Sequence, residues 1–140
     1  MKTVFYWIIQ FSWGIVQNVM GLALTAFLRL FRRAEKRPPF FGAVVTKWRR
    51  RGSMALGGYI FLGKNGTEEV LVHEYGHTVQ SLILGPFFLP VIGLPSLIWA
   101  NFRPFRRYRE RKQKRYTSFY PERWASFAGE RSTGRKASRA

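Results

Sequence analysis

The feature that most constrains this chain is a long N-terminal stretch, residues 3–28, that contains no charged residue. As a helix, such a stretch is long enough to cross the hydrocarbon core of a bilayer. Gln17 and Asn18 near its middle are more typical of a bent or interfacial helix. A cleaved signal peptide is the least favoured interpretation, because the apolar run is too long and no small-residue cleavage site precedes Arg29. We therefore expect residues 1–31 to form a transmembrane or membrane-interfacial helix.

Basic residues dominate the charge balance, with 24 Lys and Arg against seven acidic residues and a formal net charge of +17. This excess predicts an anionic partner, and the apolar N-terminus favours anionic membrane lipid over nucleic acid. Only Lys2 precedes the apolar run, so the positive-inside tendency places everything after Leu30 in the cytoplasm. Residues 32–42 are expected to form a basic linker that Pro38 and Pro39 close.

Two apolar stretches separated by a polar, glycine-containing turn predict a β-hairpin after this linker. The first, Ala43–Trp48, is rich in β-branched residues, and the second spans residues 54–62. Gly57 and Gly58 in the second stretch are typical of a bulge or of a close backbone approach. A small sheet is therefore expected to open a domain of residues 43–130.

A helix is predicted directly after the hairpin. Thr67 is a suitable N-cap, and Gly85 followed by Pro86 is a typical stop, so the helix should end near Leu84. The second apolar run, residues 86–102, is interrupted by prolines and a glycine, which argues against a straight spanning helix. A short helix is expected within it.

The C-terminal part begins with a basic cluster over residues 103–115. Pro121 is typical of the first turn of a helix and Gly129 of its end, so a second short helix is predicted there. Residues 131–140 have the composition of a disordered basic tail.

The predicted helix carries the run HEYGH, from His73 to His77, and these are the two histidines of the chain. Residues four apart lie on one helical face, so both imidazoles can reach one metal ion. Glu74 is then placed to take a proton from a metal-activated water. The pattern therefore predicts a catalytic zinc site.

A third protein ligand is required, and the chain offers no cysteine, no aspartate and no further histidine. Glu122 is the favoured ligand because it follows Pro121 at the start of a helix. The small residues Ala125 and Ser126 one turn later would let that helix approach the metal helix. Glu130 is an alternative ligand.

HEYGH followed by a distant helical glutamate resembles the gluzincin branch of the zincin metallopeptidases, over about residues 43–129. The resemblance implies zinc bound by His73, His77 and Glu122, with the motif glutamate as the base. It also implies that an edge strand, corresponding to residues 54–62, binds extended peptide by strand addition.

The chain departs from larger gluzincins at Ser126, where they often place an aspartate that supports a ligand histidine. Support must then come from Ser126 or from backbone carbonyl groups, which puts high turnover in doubt. Tyr116 or Tyr120 could donate a hydrogen bond to an oxyanion, although tyrosines serve equally well as core residues.

The second apolar run sets a topological condition. If residues 82–100 crossed a membrane, Glu122 would lie on the side opposite His73 and His77. A single metal site therefore requires an interfacial dip, which we favour, or a core segment folded over the active helix.

Taken together, the sequence predicts an α+β fold. It should consist of an N-terminal membrane helix and a minimal zincin-like domain, with a small sheet, the HEYGH helix and a C-terminal ligand helix. The expected function is a membrane-associated zinc metallopeptidase acting on peptide or protein substrates. One alternative is an intramembrane protease with its site below the headgroups. The other is a non-catalytic basic protein that binds membrane or nucleic acid and keeps a vestigial metal site.

Overall fold

The computed structural model describes residues 3–50, 52–64, 66–112 and 119–138, and over these residues the protein is a mixed α+β fold. Six α-helices are combined with one four-stranded sheet. The strands are β1 (Ala34–Phe40), β2 (Ala43–Trp48), β3 (Met54–Leu56) and β4 (Tyr59–Leu62). The helices are α1 (Thr3–Ser12), α2 (Ile15–Leu30), α3 (Glu68–Leu84), α4 (Leu94–Asn101), α5 (Arg103–Lys112) and α6 (Tyr120–Thr133).

The sheet has the strand order β1-β2-β4-β3 and corrects the predicted hairpin. β2 and β4 run parallel, whereas β3 and β4 form the antiparallel hairpin. Leu56 pairs with Tyr59 across Gly57 and Gly58, and Gly57 has φ 60°. Two-residue turns need positive φ, which glycine adopts without steric strain. The pairing of Ala43–Trp48 with the second stretch as one hairpin is therefore wrong, and the predicted bulge is the turn.

β1 forms within the segment predicted as a linker. It pairs antiparallel with β2, and the register shifts between Arg37 and Phe40, where Pro38 and Pro39 stand. Proline cannot donate to the sheet ladder, so it is tolerated in an edge strand at an irregularity. Residues 34–40 are therefore part of the sheet.

Different helices cover the two faces of the sheet. Val45 and Ile60 belong to a buried cluster with Val72 of α3. Phe61, the residue after Ile60, belongs to a second cluster with Leu28 of α2. Because neighbouring strand residues point to opposite faces, the sheet lies between α2 and α3.

The apolar N-terminal stretch forms two helices instead of one. α1 and α2 are bent by 106° at Trp13 and Gly14. Among the described residues, no single helix meets the length and apolarity needed to cross a membrane, whereas this bent pair does so jointly. Asn18 stabilises the break, because its amide nitrogen lies 2.8 Å from Gly14 O and 2.6 Å from Gln10 Oε1.

The second apolar run is also broken, as its prolines predict. A 3₁₀ turn at Gly85–Phe87 and a π-helical turn at Leu89–Gly93 connect α3 to α4. Ile92 and Trp99 are buried, whereas Leu94 is exposed. The short helix predicted in this region corresponds to α4.

α3 and α6 approach each other closely through two glycines. A Cβ added to Gly76 would lie 1.7 Å from Ala125 O, and one added to Gly129 would lie 2.1 Å from Val72 O. Larger residues at either glycine would force the two backbones apart. Gly129, which was predicted to end this helix, therefore lies within α6 and packs against α3.

The segment predicted as a disordered tail, residues 131–140, is ordered over its described part. α6 extends into it and ends at Thr133, where Gly134, with φ 70°, caps the helix. Ala137 is fully buried, and Ser138 N donates to Glu69 O at 2.9 Å. The chain therefore returns along α3, and its last two residues lie outside the described part.

Candidate metal centre

The geometry of α3 places the two histidines side by side. Thr67 caps the helix and accepts a hydrogen bond from Val70 N at 3.3 Å. Glu68 follows in the first turn, where the helix dipole favours a negative charge. His73 and His77 lie one turn apart and are both buried.

Glu122 reaches these histidines from the first turn of α6. Its Oε2 lies 2.8 Å from His73 Nε2 and 3.0 Å from His77 Nε2. The carboxylate is only 1% exposed. The two motif histidines and the favoured glutamate, which stand far apart in the sequence, therefore meet at one point.

These three side chains form a cluster that could hold a metal ion. Their ligand atoms all lie within 4.8 Å of one another, so one ion can contact all three. Two imidazole nitrogens and one carboxylate oxygen leave a coordination position for water or substrate. The donor set therefore fits a catalytic metal better than a closed structural site.

The other ring nitrogen of each histidine is also bonded. His73 Nδ1 lies 2.7 Å from Ser126 Oγ, and that hydroxyl donates to Ser138 O at 3.1 Å. A hydroxyl that donates elsewhere accepts from the imidazole, so Nδ1 carries the proton. Nε2 of His73 is then the nitrogen left for a metal.

His77 is held in the same tautomer by Gln80. The amide nitrogen of Gln80 donates to Pro121 O at 2.9 Å, which points its Oε1 towards His77 Nδ1 at 2.7 Å. That oxygen can only accept, so it fixes a proton on Nδ1. Gln80 thereby orients a ligand of α3 and also bonds the start of α6.

Charge complementarity shifts two pKa values in the metal-free cluster. Burial opposes ionisation of Glu122, but the adjacent imidazoles outweigh it and hold the pKa of this carboxyl well below its usual range. Burial also opposes protonation of His77, but Glu122 outweighs it and raises the pKa of His77 to about 9. Glu122 and His77 therefore each favour the charged form of the other.

Glu74 lies next to the cluster on the same helix and is only 6% exposed. Among the described residues, its Oε2 is buried without a hydrogen-bond partner. Burial raises the pKa of Glu74, although His77 and His73 partly counteract it. A carboxylate in this environment is costly unless a ligand or water completes it, which favours a functional role.

The other candidate residues lie elsewhere. Glu130 Oε2 accepts a hydrogen bond from Ala137 N at 3.1 Å, so it binds the returning chain and lies outside the cluster. The Tyr120 hydroxyl donates to Val91 O at 2.8 Å, which does not fit the predicted oxyanion role. Tyr116 lies outside the described residues.

Sequence reasoning missed two contributors to the site. Gln80 stands three residues after His77 on the same helical face, and that spacing was a usable signal. The carbonyl of Ser138 had no sequence signal, because only the folded chain returns it to Ser126.

No protein-family model matches the chain, and no curated protein or solved structure is significantly similar to it. Any functional interpretation therefore rests on the geometry of the cluster.

Proposed function

We propose that the protein is a zinc-dependent metallopeptidase with a minimal zincin-like domain. His73, His77 and Glu122 bind the zinc, and Glu74 is the general base. The observation that best supports this proposal is that both imidazole Nε2 atoms lie close to the same Glu122 oxygen, at 2.8 and 3.0 Å.

The donor set and its surroundings support zinc. Zinc prefers nitrogen and carboxylate oxygen ligands about 2.0–2.2 Å away, so tetrahedral ligands are about 3.3 Å apart. The separations of 2.8 and 3.0 Å between Glu122 and the imidazoles need to widen only slightly. Because each Nδ1 proton is already bonded, the ligand nitrogens do not have to reorient.

Glu74 supplies the proton transfers. When bound, zinc polarises the scissile carbonyl group and lowers the pKa of the attacking water. The raised pKa of Glu74 suits a group that accepts a proton from that water and then passes it to the leaving amine. Its Oε2, which has no hydrogen-bond partner in the described part of the chain, leaves one oxygen available for these transfers.

The sheet offers a place for an extended peptide. β3 is an edge strand, and Ala55 on it shares a buried cluster with Val72 of α3. A peptide that pairs with this edge would run alongside the active helix. Of the stretch 54–62, which was expected to bind peptide, only β3 lies at the edge of the sheet, because β4 lies between β2 and β3.

The test separates metal binding from catalysis in purified full-length protein. We expect one zinc per chain by elemental analysis, loss of zinc in Glu122→Ala, and retention of zinc in Glu74→Gln. A mixture of unstructured peptides, monitored by mass spectrometry, should be cleaved by the wild type and not by Glu74→Gln.

Glu35→Ala is the matched control, because Glu35 is exposed and pairs only with the nearby Arg37 at 3.5 Å in the described structure. It should keep both zinc and cleavage. Wild type without bound metal would overturn the proposed site, and zinc binding without cleavage of any peptide would favour a vestigial centre.

A further inference from the structure

The polarity of α2 is inverted relative to a helix of a water-soluble protein. Gln17 and Asn18 are fully buried, whereas Val16, Val19 and Leu22 are about half exposed, at 53%, 51% and 48%. Helices surrounded by water normally bury their apolar side chains and expose the polar ones. The outer surface of α2 is therefore suited to an apolar medium.

The inner polar side chains fix this orientation. Gln17 Nε2 donates to Ser81 Oγ of α3 at 2.8 Å, and Gln10 Nε2 of α1 donates to Thr78 O at 3.3 Å. Turning the apolar faces inward would break these buried hydrogen bonds and leave their partners unsatisfied. The exposed apolar faces are thus built into the fold.

The bend between α1 and α2 abuts the C-terminal end of α3. Trp13 Nε1 donates to Ile83 O at 3.3 Å, and Gln17 Nε2 donates to Gly85 O at 2.8 Å. Ile83 and the nearby Phe87 are 57% and 59% exposed. The bend and the start of the second apolar run therefore form one continuous exposed apolar region.

Both helices return from this bend to the sheet. Trp7 Nε1 of α1 donates to Gly42 O in the turn between β1 and β2, at 3.0 Å. Arg29 Nη2 near the end of α2 donates to Thr46 Oγ1 of β2, at 3.0 Å. Asn18, one turn after the bend, also accepts a hydrogen bond from Gly58 N in the β3–β4 turn, at 2.8 Å. The pair is thus a hairpin held against the sheet along its length, and Trp13 and Ile15 at its bend are exposed, at 47% and 50%.

Basic residues flank the apolar region where the chain leaves it. One group lines a groove beside the end of α2, and Glu35 also lines this groove. We call its basic residues the basic groove; they are Arg29, Arg32, Lys47, Arg49 and Lys64. The other group is α5, which directly follows α4 and has six basic residues and one acidic residue among its ten. Phe105 of α5 packs against Trp99 of α4, at 5.9 Å between ring centroids.

We propose that this surface docks on an anionic bilayer, with the α1–α2 hairpin dipping into one leaflet. The exposed side chains around the bend, Trp13, Ile15 and Val16, would enter the roughly 15 Å of hydrocarbon in one leaflet. The bend, Ile83 and Phe87 lie deepest. The basic groove and α5 remain at the surface and bind lipid headgroups.

Lipid fits the surface better than nucleic acid does. Nucleic-acid binding depends on phosphate contacts and on stacking, and it gives no reason for exposed aliphatic residues. Val16, Val19, Leu22 and Ile83 are aliphatic and exposed, and lipid chains would cover them. The inference does not depend on the proposed peptidase activity.

Vesicle binding by the full-length protein tests the charge requirement. We expect flotation with phosphatidylcholine vesicles that contain phosphatidylserine, and weaker flotation with phosphatidylcholine alone. Arg106→Glu/Arg107→Glu in α5 should reduce binding to the anionic vesicles at least tenfold. Arg131→Glu/Lys136→Glu changes the charge equally near the opposite end of α3 and should bind like wild type.

A second pair of variants tests the apolar contact. Val16→Gln/Val19→Gln should reduce vesicle binding, whereas Phe127→Gln on α6, where the ring is 58% exposed, should not. Circular dichroism and the melting temperature of each variant test whether it is folded like the wild type. Equal binding by the α2 pair and the α6 control would overturn the proposal, as would RNA binding that the α5 pair reduces while vesicle binding stays unchanged.

The absence of cysteine from the chain permits a direct test of depth. Ile15→Cys, at a position 50% exposed beside the bend, should react with a water-soluble maleimide in lipid-free protein and be protected by anionic vesicles. Lys136→Cys should react equally in both. Equal reactivity of Ile15→Cys with and without vesicles would contradict insertion of the hairpin.

Discussion

At the scale of single residues, the second nitrogen of each histidine matters as much as the ligand nitrogen. Ser126 and Gln80 each hold an Nδ1 at 2.7 Å. Each of them also donates a hydrogen bond to a backbone carbonyl group, which fixes its orientation. Neither provides the carboxylate that would make its histidine more basic. The site is therefore oriented by neutral partners, which predicts a well-shaped centre with modest ligand strength.

Removing these partners should weaken zinc binding. Ser126→Ala and Gln80→Leu should each lower zinc affinity about 10- to 100-fold, because a ligand imidazole loses its orienting acceptor. Competition with a chromogenic chelator measures the change. Ser132→Ala, an exposed serine on the same helix, is the matched control and should leave affinity unchanged. Unaltered affinity in both site variants would show that the acceptors do not matter.

Zinc binding should depend on pH through His77. Its pKa is raised to about 9 in the metal-free protein, because Glu122 outweighs the opposing effect of burial. Below that pH a proton must leave before zinc binds, so apparent affinity should rise about tenfold per pH unit from pH 7 towards 9 and then level off. Calorimetry at pH 7 in buffers of different ionisation enthalpy should report about one proton released per zinc.

At the scale of elements, the contact between α3 and α6 sets the distance across the metal centre. Gly76→Ala would place its Cβ 1.7 Å from Ala125 O, so the two helices must separate. We expect a loss of about 1–3 kcal/mol in the free energy of unfolding, together with weaker zinc binding. Gly52→Ala, whose added Cβ meets no atom of the described residues within 4 Å, should change stability by less than about 0.5 kcal/mol. Chemical denaturation and metal analysis measure both effects.

Local signals in the sequence were sufficient for α3 and for the cluster. Thr67 and Gly85 cap the two ends of α3, which has the predicted length. Two histidines four residues apart in a helix must share one face. Glu122 could be identified because the composition left few ligands to choose from. Its side chain lies where that choice requires.

Long-range pairing could not be predicted in the same way. The parallel alignment of β2 with β4 joins two strands that are separated in the sequence by β3, and alternating hydrophobicity is equally compatible with an antiparallel pair. The edge position that lets β1 contain Pro38 and Pro39 is likewise a property of the assembled sheet. The return of Ser138 to Glu69 depends on tertiary packing alone.

At the scale of the whole molecule, α3 connects the sheet, the α1–α2 hairpin and α6. Val72 packs with the sheet, Ser81 bonds the α1–α2 hairpin, and His73 and His77 face α6. A helix that packs against other elements on several sides has few positions that can change independently. Loss of the metal should therefore affect the stability of the whole fold as well as the geometry of the site.

Metal removal should lower the melting temperature of the intact protein. Zinc at about a thousand times its Kd would stabilise the folded state by about 4 kcal/mol, which corresponds to roughly 10 °C or more for a chain of this length. We expect chelator-treated protein to melt lower by this amount and zinc to restore it. In His77→Ala, one of the two Nε2 contacts to Glu122 is lost, so added zinc should change the melting temperature little. Equal zinc-dependent shifts in the variant and the wild type would place the stabilising metal at another site.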